Sequence, residues 1–328
     1  MTSQLDSQLQ QALNLRRVNG SLRRLTLAPK GAVDFSSNDF LSLSASPLLR
    51  RTFMDELAGT QDSSVPTPVP TPMPLGPGGS RLLDGNSAYT ERLEAELVAF
   101  LHGEAGLLFN SGFDANVGFF ACVPQPGDAV VYDALVHASV HQGMRLSRLP
   151  TGRCRPFAHN DPQALEHVLR RLCAEDAEDA EHVDAERAEP AGDAKTRAAD
   201  PTRPQLRRPA ANVFVAVEAL YSMDGDLAPL CEILGVCDRV FATITGGGSS
   251  STAGNRCYLI VDEAHSTGIV GDRGRGLVCA LGLQHRVFAR LHTFGKALAA
   301  NGGLSDPWSL LATPMAYVWL IKGEKQSC

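Results

Sequence analysis

The sequence contains no apolar run long enough to form a transmembrane helix. Its first residues, Met1-Thr2-Ser3-Gln4, lack the apolar stretch of a secretory signal peptide. Its last three residues, Gln326-Ser327-Cys328, differ from the S-K-L peroxisomal address. We therefore expect a cytoplasmic protein that has no membrane partner.

The sequence is also poor in patterns that bind metals or nucleic acids. Its eight cysteines form no C-x-x-C pair, so we expect reduced, mostly structural thiols and no metal site. The net charge is −6, but residues 174–200 alone contain ten acidic and three basic residues, which leaves the remainder nearly neutral. Because no basic stripe is present, nucleic acid is not an expected partner.

Three common catalytic or nucleotide-binding motifs are missing. Arg290 stands where a P-loop ending at Lys296 requires glycine, so nucleotide hydrolysis is not expected. The glycines of residues 271–276 have the wrong spacing for a dinucleotide fingerprint. His137 and His141 are four residues apart, but they lack the intervening glutamate of a zinc protease.

Strand and helix signals alternate along most of the chain. Leucines near helical spacing predict an amphipathic helix within residues 1–30, and residues 33–35 predict a short strand. Further strands are predicted at 105–109, 128–133, 213–218 and 258–261. This alternation predicts an α/β fold in three layers, with a mostly parallel, doubly wound sheet between helices.

We divide the chain into an N-terminal helical and strand segment at 1–45, a large domain at 46–321 and a tail at 322–328. Three insertions in the large domain are predicted to be disordered because of their composition. The first is rich in proline, the second in alanine and charged residues, and the third in glycine and serine; they occupy residues 60–75, 174–210 and 238–256.

Asp262 and Lys296 are the most informative pair of residues in the sequence. Asp262 ends an apolar run, and Lys296 follows a second short run that ends at Phe294. The interval between them is long enough for a crossover, so both can emerge at the carboxyl edge of a parallel sheet, where such folds bind ligands. An amine and a carboxylate held there suit pyridoxal 5'-phosphate (PLP), whose aldehyde reacts with lysine and whose ring nitrogen pairs with aspartate.

Each candidate residue also has an ordinary explanation. A lysine is commonly solvated, and an aspartate after a strand can cap a helix or bind magnesium. Ser111-Gly112-Phe113 can hold a phosphate at a helix N-terminus or form a structural turn. His137 can lie on an aromatic cofactor or cap a helix. Ser222 can donate to a ring oxygen or belong to an ordinary Asp-Gly turn.

Eight blocks of sequence occur in the order found in one enzyme family. They are DFSSNDFL (34–41), GGSRLLDG (78–85), FNSGFDAN (109–116), HAS (137–139), FAHND (157–161), YSMDGD (221–226), VDEAHSTG (261–268) and TFGK (293–296). With these blocks the chain resembles the α-oxoamine synthases, a branch of the fold-type I PLP enzymes, over residues 31–321. Within that family it is most similar to the biotin-pathway member.

The resemblance implies roles for individual residues around PLP. Lys296 forms the covalent link to the cofactor, Asp262 pairs with the pyridine nitrogen and His137 stacks on the ring. Ser222 and His265 contact the region of the ring oxygen. By the same resemblance Lys296, His137, Asp262 and His265 are the expected catalytic residues.

Further residues are assigned to the phosphate and the substrates. Thr293, with Ser111, Gly112 and Phe113, is expected on the phosphate side of PLP. Arg23, Arg24 and Asn38 are expected to contact substrate.

The resemblance also implies a reaction and an assembly. An amino acid, L-alanine in the biotin-pathway member, condenses with an acyl-CoA thioester such as pimeloyl-CoA, and loss of CO₂ gives an α-amino ketone. The enzyme is expected to be a homodimer with the fold-type I large domain. Its small C-terminal domain is expected to be largely missing, because roughly the last quarter of a typical member has no counterpart here.

Two alternative functions stay open at this point. The chain can be a remnant that folds without catalysing the reaction, because of the missing C-terminal portion. It can also be another α-oxoamine synthase, which uses glycine or serine or a polyketide thioester.

Overall fold

The computed structural model describes residues 3–58, 76–150, 152–188, 212–244 and 257–307 of the chain. The chain divides into two compact units after Ser37, whereas the sequence suggests a boundary after residue 45. The side chain of Asp39 accepts a hydrogen bond from the backbone N–H of Leu43, at the start of the 3₁₀ helix Leu43–Ala45. Both residues of this local contact belong to the second unit.

The first unit contains helix α1 (Gln4–Val18), which confirms the predicted N-terminal helix. It begins at a capping box in which Ser3 and Asp6 each accept a hydrogen bond from the other's backbone. Residues 33–35, predicted as a strand, have no regular secondary structure. The side chain of Asp34 instead accepts hydrogen bonds from the two backbone N–H groups that follow Phe35, which turns the chain.

The described residues of the second unit form seven strands: β1 (Leu107–Phe109), β2 (Ala129–Asp133), β3 (Cys154–Phe157), β4 (Val213–Glu218), β5 (Cys257–Asp262), β6 (Ala289–Thr293) and β7 (Gly303–Pro307). They form one sheet in the order β1-β7-β6-β5-β4-β2-β3. Strand β7 runs antiparallel to both neighbours, and the other pairs are parallel. The predicted mostly parallel sheet is therefore confirmed.

In the part of the second unit that the structure describes, the α-helices are α2 (Pro47–Leu57), α3 (Ala88–Leu101), α4 (Gly112–Cys122), α5 (Ala138–Leu146), α6 (Pro162–Ala188), α7 (Leu230–Ile244) and α8 (Leu277–Ala280). Serine side chains cap the first turns of α2, α3 and α4 by accepting backbone hydrogen bonds. Among the described residues, no helix combines the length and the apolar character needed to cross a membrane.

The sheet lies between two apolar cores, one on each face. Val215 and Leu259 point into a core that they share with residues of α6 and α7. Phe214 and Ile260, one position away on the same strands, point into a core shared with α4 and α5. Because both faces are covered, β4 and β5 are almost continuously apolar and buried. The predicted three-layer arrangement is confirmed.

The disorder predicted for the insertion at residues 174–210 is wrong in its first part, since α6 continues to Ala188. Alanine, glutamate and arginine are common in disordered segments, but they are also strong helix formers. Tertiary contacts decide the outcome, because Leu172 is fully buried and Asp176 forms a 2.5 Å ion pair with the buried Arg153. Residues 189–210 lie outside the described part of the chain.

The disorder predicted for the insertion at residues 238–256 is also wrong at its beginning. Helix α7 continues to Ile244, and Val240 and Phe241 are buried against the sheet. Residues 245–256 lie outside the described residues, as do the predicted insertion at 60–75 and the predicted tail at 322–328.

Candidate active site

Three neighbouring parallel strands end at the same edge of the sheet. Strand β4 ends at Glu218, β5 at Asp262 and β6 at Thr293. Glu218 is paired in register with Asp262, and Asp262 with Leu291. The side chains that follow these strands therefore gather at the carboxyl edge, where open α/β folds bind their ligands.

Asp262 is a buried carboxyl group with two fixed hydrogen-bond donors. Asn116 on α4 donates through Nδ2 to its Oδ2 at 2.6 Å, and the backbone N–H of Ala264 donates to its Oδ1 at 2.9 Å. A buried carboxylate requires such partners, since desolvation without them is costly. The two bonds fix its orientation. Within the described part of the chain, the buried Oδ1 of Asn116 has no hydrogen-bond partner.

Lys296 lies in the connection between β6 and β7, with its Nζ 2.8 Å from Nε2 of His265. Burial lowers the pKa of Lys296, although the charges of Asp262 and Glu218 oppose this effect. A lowered pKa raises the fraction of neutral amine at neutral pH, and only the neutral amine is a nucleophile or a base.

His265 is uncharged at neutral pH. Burial, and next the charge of Lys296, lower the pKa of His265 to about 4, while Asp262 acts in the opposite direction. Its Nε2 can therefore accept a hydrogen bond from the ammonium form of Lys296. The pair can hold one proton between two nitrogen atoms at the edge of the sheet.

His137 is the N-cap of α5, which agrees with the capping alternative left open by the sequence. Its Nδ1 accepts a hydrogen bond from the backbone N–H of Ser139 at 3.2 Å. The ring of Phe113 lies beside the ring of His137 in an edge-to-face arrangement, with the two centroids 6.0 Å apart. Burial lowers the pKa of His137, and the charges of Asp262 and Lys296 also act on it. His137 therefore lies near the other candidate residues, and its stacking on a cofactor stays a prediction.

The N-terminus of α4 packs directly on the end of β6. Ser111 caps the helix by accepting a hydrogen bond from the backbone N–H of Asp114 at 3.0 Å. A Cβ on Gly112 would lie only 2.7 Å from Cβ of Thr293, so glycine is required for this close approach. The helix N-terminus therefore presents its partial positive charge beside Thr293, which favours a phosphate there.

Ser222 lies in the loop that follows β4. The backbone N–H of Gly225 donates to the carbonyl of Tyr221 at 3.0 Å, and the φ of Gly225 is +75°. These features make the segment an ordinary glycine-containing turn, with Ser222 exposed in it. The role of Ser222 toward a ring oxygen stays a prediction.

The structure brings most of the predicted site residues to one edge of the sheet. Lys296, His265, Asp262 and His137 act on one another electrostatically, and the N-terminus of α4 adjoins the same edge through Thr293. Asn38 is exposed at the start of the second unit, and its contact with substrate stays a prediction. Arg23 and Arg24 are exposed in the first unit, and their role also stays a prediction.

Two residues at this edge were not assigned a role from the sequence. Glu218 ends β4 as Asp262 ends β5, and it is 5% exposed. Asn116 is 3% exposed on α4 and contacts Asp262 across 146 positions of sequence. A carboxyl group at the end of an apolar strand was a usable signal for Glu218, but only the fold reveals the partner of Asn116.

Comparison with known proteins identifies the family. Residues 31–305 match the family described as aminotransferase class I and II. An 8-amino-7-oxononanoate synthase of Emericella nidulans is 45% identical over 300 residues, which cover 92% of this chain and 61% of that protein. The aminoacyl transferase sphA of Aspergillus fumigatus is 39% identical over 299 residues, which cover 90% of this chain and 53% of that protein.

A solved structure shows the same fold. It is a variant of the serine palmitoyltransferase from S. paucimobilis with a bound PLP–myriocin aldimine. It superimposes with a TM-score of 0.63 at 20% identity, and the match covers 98% of this chain and 69% of that one. The chain spans 53% to 61% of the length of the two curated relatives above. The chain belongs to the class I and II aminotransferase family, whose enzymes depend on PLP, and within it to the α-oxoamine synthase branch.

Proposed function

We propose that this protein binds PLP and condenses an amino acid with an acyl-CoA thioester, with loss of CO₂, to form an α-amino ketone. The substrates we propose are L-alanine and pimeloyl-CoA, and the product is 8-amino-7-oxononanoate, a precursor of biotin. The observation that carries the proposal is the cluster of Lys296, His265 and His137 around the buried carboxyl group of Asp262 at the carboxyl edge of the sheet. The name of the Emericella nidulans relative supports the product.

The residues at this edge fit PLP in charge and shape. Asp262, held by Asn116 and the backbone, offers a carboxylate to the pyridine nitrogen. His137 offers one face of its ring, which is accessible to solvent at this edge, and partial desolvation lowers its pKa. The close packing of Gly112 on Thr293 brings a helix N-terminus to the edge, where it can take the phosphate. Ser111 and Phe113 flank this position and belong to the same proposed phosphate side.

Lys296 supplies the base and the covalent attachment. When bound, PLP stores the electron pair that remains on the α-carbon of the amino acid after proton removal. The neutral form of Lys296, favoured by burial, can take that proton on Nζ. Nε2 of His265, 2.8 Å away, accepts a hydrogen bond from the resulting ammonium and keeps it directed toward the edge. We propose that Ser222 donates to the ring oxygen and that Arg23, Arg24 and Asn38 contact substrate.

Cofactor binding is tested with purified protein and added PLP. We expect a visible absorption band, a stable covalent link to Lys296 after borohydride reduction, and loss of both in Lys296→Ala. Lys30→Ala is the matched control, because Lys30 is exposed in the first unit. Absence of the band from the unaltered protein would contradict the proposal, and modification of a different lysine would contradict the assignment of Lys296.

The reaction is tested separately by the release of CoA from pimeloyl-CoA in the presence of L-alanine. If PLP binds at Lys296 without CoA release under any condition, the chain is a non-catalytic member of the family. The same protein sample should be examined by light scattering, because we also propose a homodimer. A cytoplasmic location stays a prediction, which microscopy of a tagged protein can check.

A second candidate function is supported by the aminoacyl transferase sphA relative, which is 39% identical to this chain. In this case the site accepts a different amino acid or a different acyl thioester. A panel of glycine, L-serine and L-alanine, each with short and long acyl-CoA thioesters, separates the two candidates. Faster CoA release with L-serine or glycine would favour the second.

A further inference from the structure

A network of hydrogen bonds joins three loops at the carboxyl edge, apart from the cluster around Lys296. Asp133 ends β2, His159 follows β3, and Asp226 follows β4. Nδ1 of His159 lies 2.9 Å from Oδ1 of Asp133, and Nε2 lies 2.8 Å from Oδ2 of Asp226. Since each ring nitrogen faces a carboxyl oxygen, the arrangement favours the imidazolium, which donates from both nitrogens.

Asn160 makes the same two connections as its neighbour His159. Its backbone N–H donates to Oδ2 of Asp133 at 2.8 Å, and its Nδ2 donates to Oδ2 of Asp226 at 2.5 Å. Asn160 has a φ of +49°, a left-handed conformation that asparagine adopts more readily than most residues. Two consecutive residues after β3 therefore bind the same pair of carboxyl groups.

The two ends of this network differ in burial. The side chain of Asp133 is 1% exposed, and it also accepts a hydrogen bond from the backbone N–H of Leu135 at 2.8 Å. The side chain of Asp226 is 39% exposed and belongs to the loop after β4. His159 therefore connects a fixed point in the core to a loop at the surface.

The loop held in this way is the one that contains Ser222. The backbone N–H of Tyr221 donates to the carbonyl of Asp226 at 3.0 Å, and Leu220 is paired with Leu227 in an antiparallel bridge. The rings of His159 and Tyr221 are 4.5 Å apart in an edge-to-face arrangement. His159 thus contacts the residues on both sides of Ser222, through Tyr221 and Asp226.

The charges agree with this geometry. Burial lowers the pKa of His159, but the hydrogen bonds and charges of Asp133 and Asp226 outweigh it and raise the pKa above 6.5. In return, burial raises the pKa of Asp226, but the hydrogen bonds from His159 and Asn160 are among the contacts that outweigh it and lower that pKa. The imidazolium and the carboxylate therefore stabilise each other.

We propose that His159 is a positioning residue, which is anchored on Asp133 and holds Asp226, so that the loop presents Ser222 to PLP. The inference rests on the proposed function, because PLP is the partner assigned to Ser222. If His159 only stabilised the fold, its substitution would affect the affinity for PLP independently of a substitution at Ser222. The two possibilities are therefore separated by comparing the PLP affinities of the single and double variants.

The first experiment measures the loop without cofactor. Amide hydrogen exchange of residues 219–228 is compared between the unaltered protein, His159→Asn and Asp226→Asn. We expect exchange to be about tenfold faster in both variants, since each loses a charge-assisted hydrogen bond. The matched control is His167→Asn, because His167 is exposed on α6, and it should leave the rate unchanged. Unchanged exchange in His159→Asn and Asp226→Asn would overturn the proposal.

The second experiment measures the dissociation constant of PLP in Ser222→Ala, His159→Asn and the double variant. Each single variant should bind PLP about three- to tenfold more weakly, the effect of one hydrogen bond. If His159 acts through Ser222, the double variant should be no weaker than Ser222→Ala, within about twofold. Additive losses would show that His159 does not act through Ser222 and would overturn the proposal.

The two experiments also distinguish failure of the inference from failure of the proposed function. If the unaltered protein does not bind PLP, the proposed function is wrong, and with it the role of Ser222 toward PLP. The exchange measurement then still decides whether His159 fixes the loop. His159→Gln supplies a second substitution if His159→Asn does not fold.

Discussion

Glu218 and Asp262 lie opposite each other at the ends of adjacent parallel strands, and both carboxyl groups are buried. Burial, and next the charge of Asp262, raise the pKa of Glu218 to about 8, although Lys296 and a hydrogen bond from the backbone of His137 oppose the shift. Protonation of Glu218 removes the repulsion between two buried carboxylates. The pair can then offer a single negative charge to a positively charged ring.

Glu218→Gln should change how stability depends on pH. An acid whose folded pKa is raised stabilises the fold below its unfolded value of 4.5, and this contribution is lost as the pH rises toward about 8. Glutamine cannot ionise, so the variant should gain stability relative to the unaltered protein across this window, by a few kcal/mol at most. Urea unfolding at several pH values, without PLP, measures the effect.

The control for this measurement is Glu104→Gln, because Glu104 is exposed and outside the site. Its difference from the unaltered protein should not vary between pH 4.5 and pH 8. If Glu218→Gln and the unaltered protein lose stability in parallel over this range, the buried, protonated state assigned to Glu218 is wrong.

Asn116→Ala should weaken both the fold and the cofactor site. The variant removes the 2.6 Å hydrogen bond to Asp262, which leaves a buried carboxylate with fewer donors. We expect a loss of about 1–3 kcal/mol in the free energy of unfolding and weaker binding of PLP. Denaturant unfolding and a PLP titration measure the two effects.

Asn116→Asp sharpens the same test, because it retains the size of the side chain but places a second carboxyl group beside Asp262. Its defect should be larger than that of Asn116→Ala at pH 7 and smaller at low pH, where one carboxyl group is protonated. Asn301→Ala, at an exposed position, is the control. An unchanged affinity for PLP in both Asn116 variants would rule out a role for Asn116 in orienting Asp262.

The sheet could be predicted because its strands carry local signals. The runs that form β4 and β5 are apolar nearly throughout, as expected for parallel strands buried on both faces. The extension of α6 beyond residue 174 could not be predicted in the same way. Its composition suits both a helix and a disordered segment, and the choice depends on contacts such as that between Asp176 and Arg153.

In the candidate site, too, only the residues marked by local sequence signals could be predicted. Asp262 and Lys296 could be proposed because each follows a strand, and the topology of a parallel sheet brings strand ends together. The contact between Asn116 and Asp262, and that between His159 and Asp226, join residues far apart in sequence. No local pattern specifies such contacts, so they appear only once the helices and loops are placed on the sheet.

The stability contributed by His159 should decline as the pH rises above 6.5. Because its folded pKa is raised, the contribution is complete below 6.5 and is lost as the pH passes through the folded pKa. Asp226 has a lowered pKa, so its contribution is complete above 3.8 and is lost at lower pH. The network with Asp133 should therefore be strongest between these values.

Thermal unfolding of the unaltered protein and His159→Gln across pH 4 to pH 9 measures this dependence. The difference in Tm should be largest near pH 5 and should shrink above pH 7, as the imidazolium loses its proton. His167→Asn should show no such change, since His167 is exposed. A difference that grows with rising pH would contradict the charged state assigned to His159.

Gly112→Ala should lower the free energy of unfolding and Gly235→Ala should raise it, although both glycines lie in helices. A Cβ at position 112 would lie 2.7 Å from Cβ of Thr293, and Thr293 is held in the sheet by its pairing with Gly303. The N-terminus of α4 must then move away from the edge, which we expect to cost about 1–3 kcal/mol and to weaken PLP binding.

At position 235 in α7, the Cβ would meet only the end of a flexible arginine side chain, at 3.4 Å. Alanine is the better helix former, so Gly235→Ala should gain up to about 1 kcal/mol and leave PLP binding unchanged. Denaturant unfolding of both variants, followed by PLP titration, makes the comparison. If Gly112→Ala were as stable as Gly235→Ala and bound PLP as tightly as the unaltered protein, the close packing of α4 on Thr293 would not be needed for the phosphate side of the site.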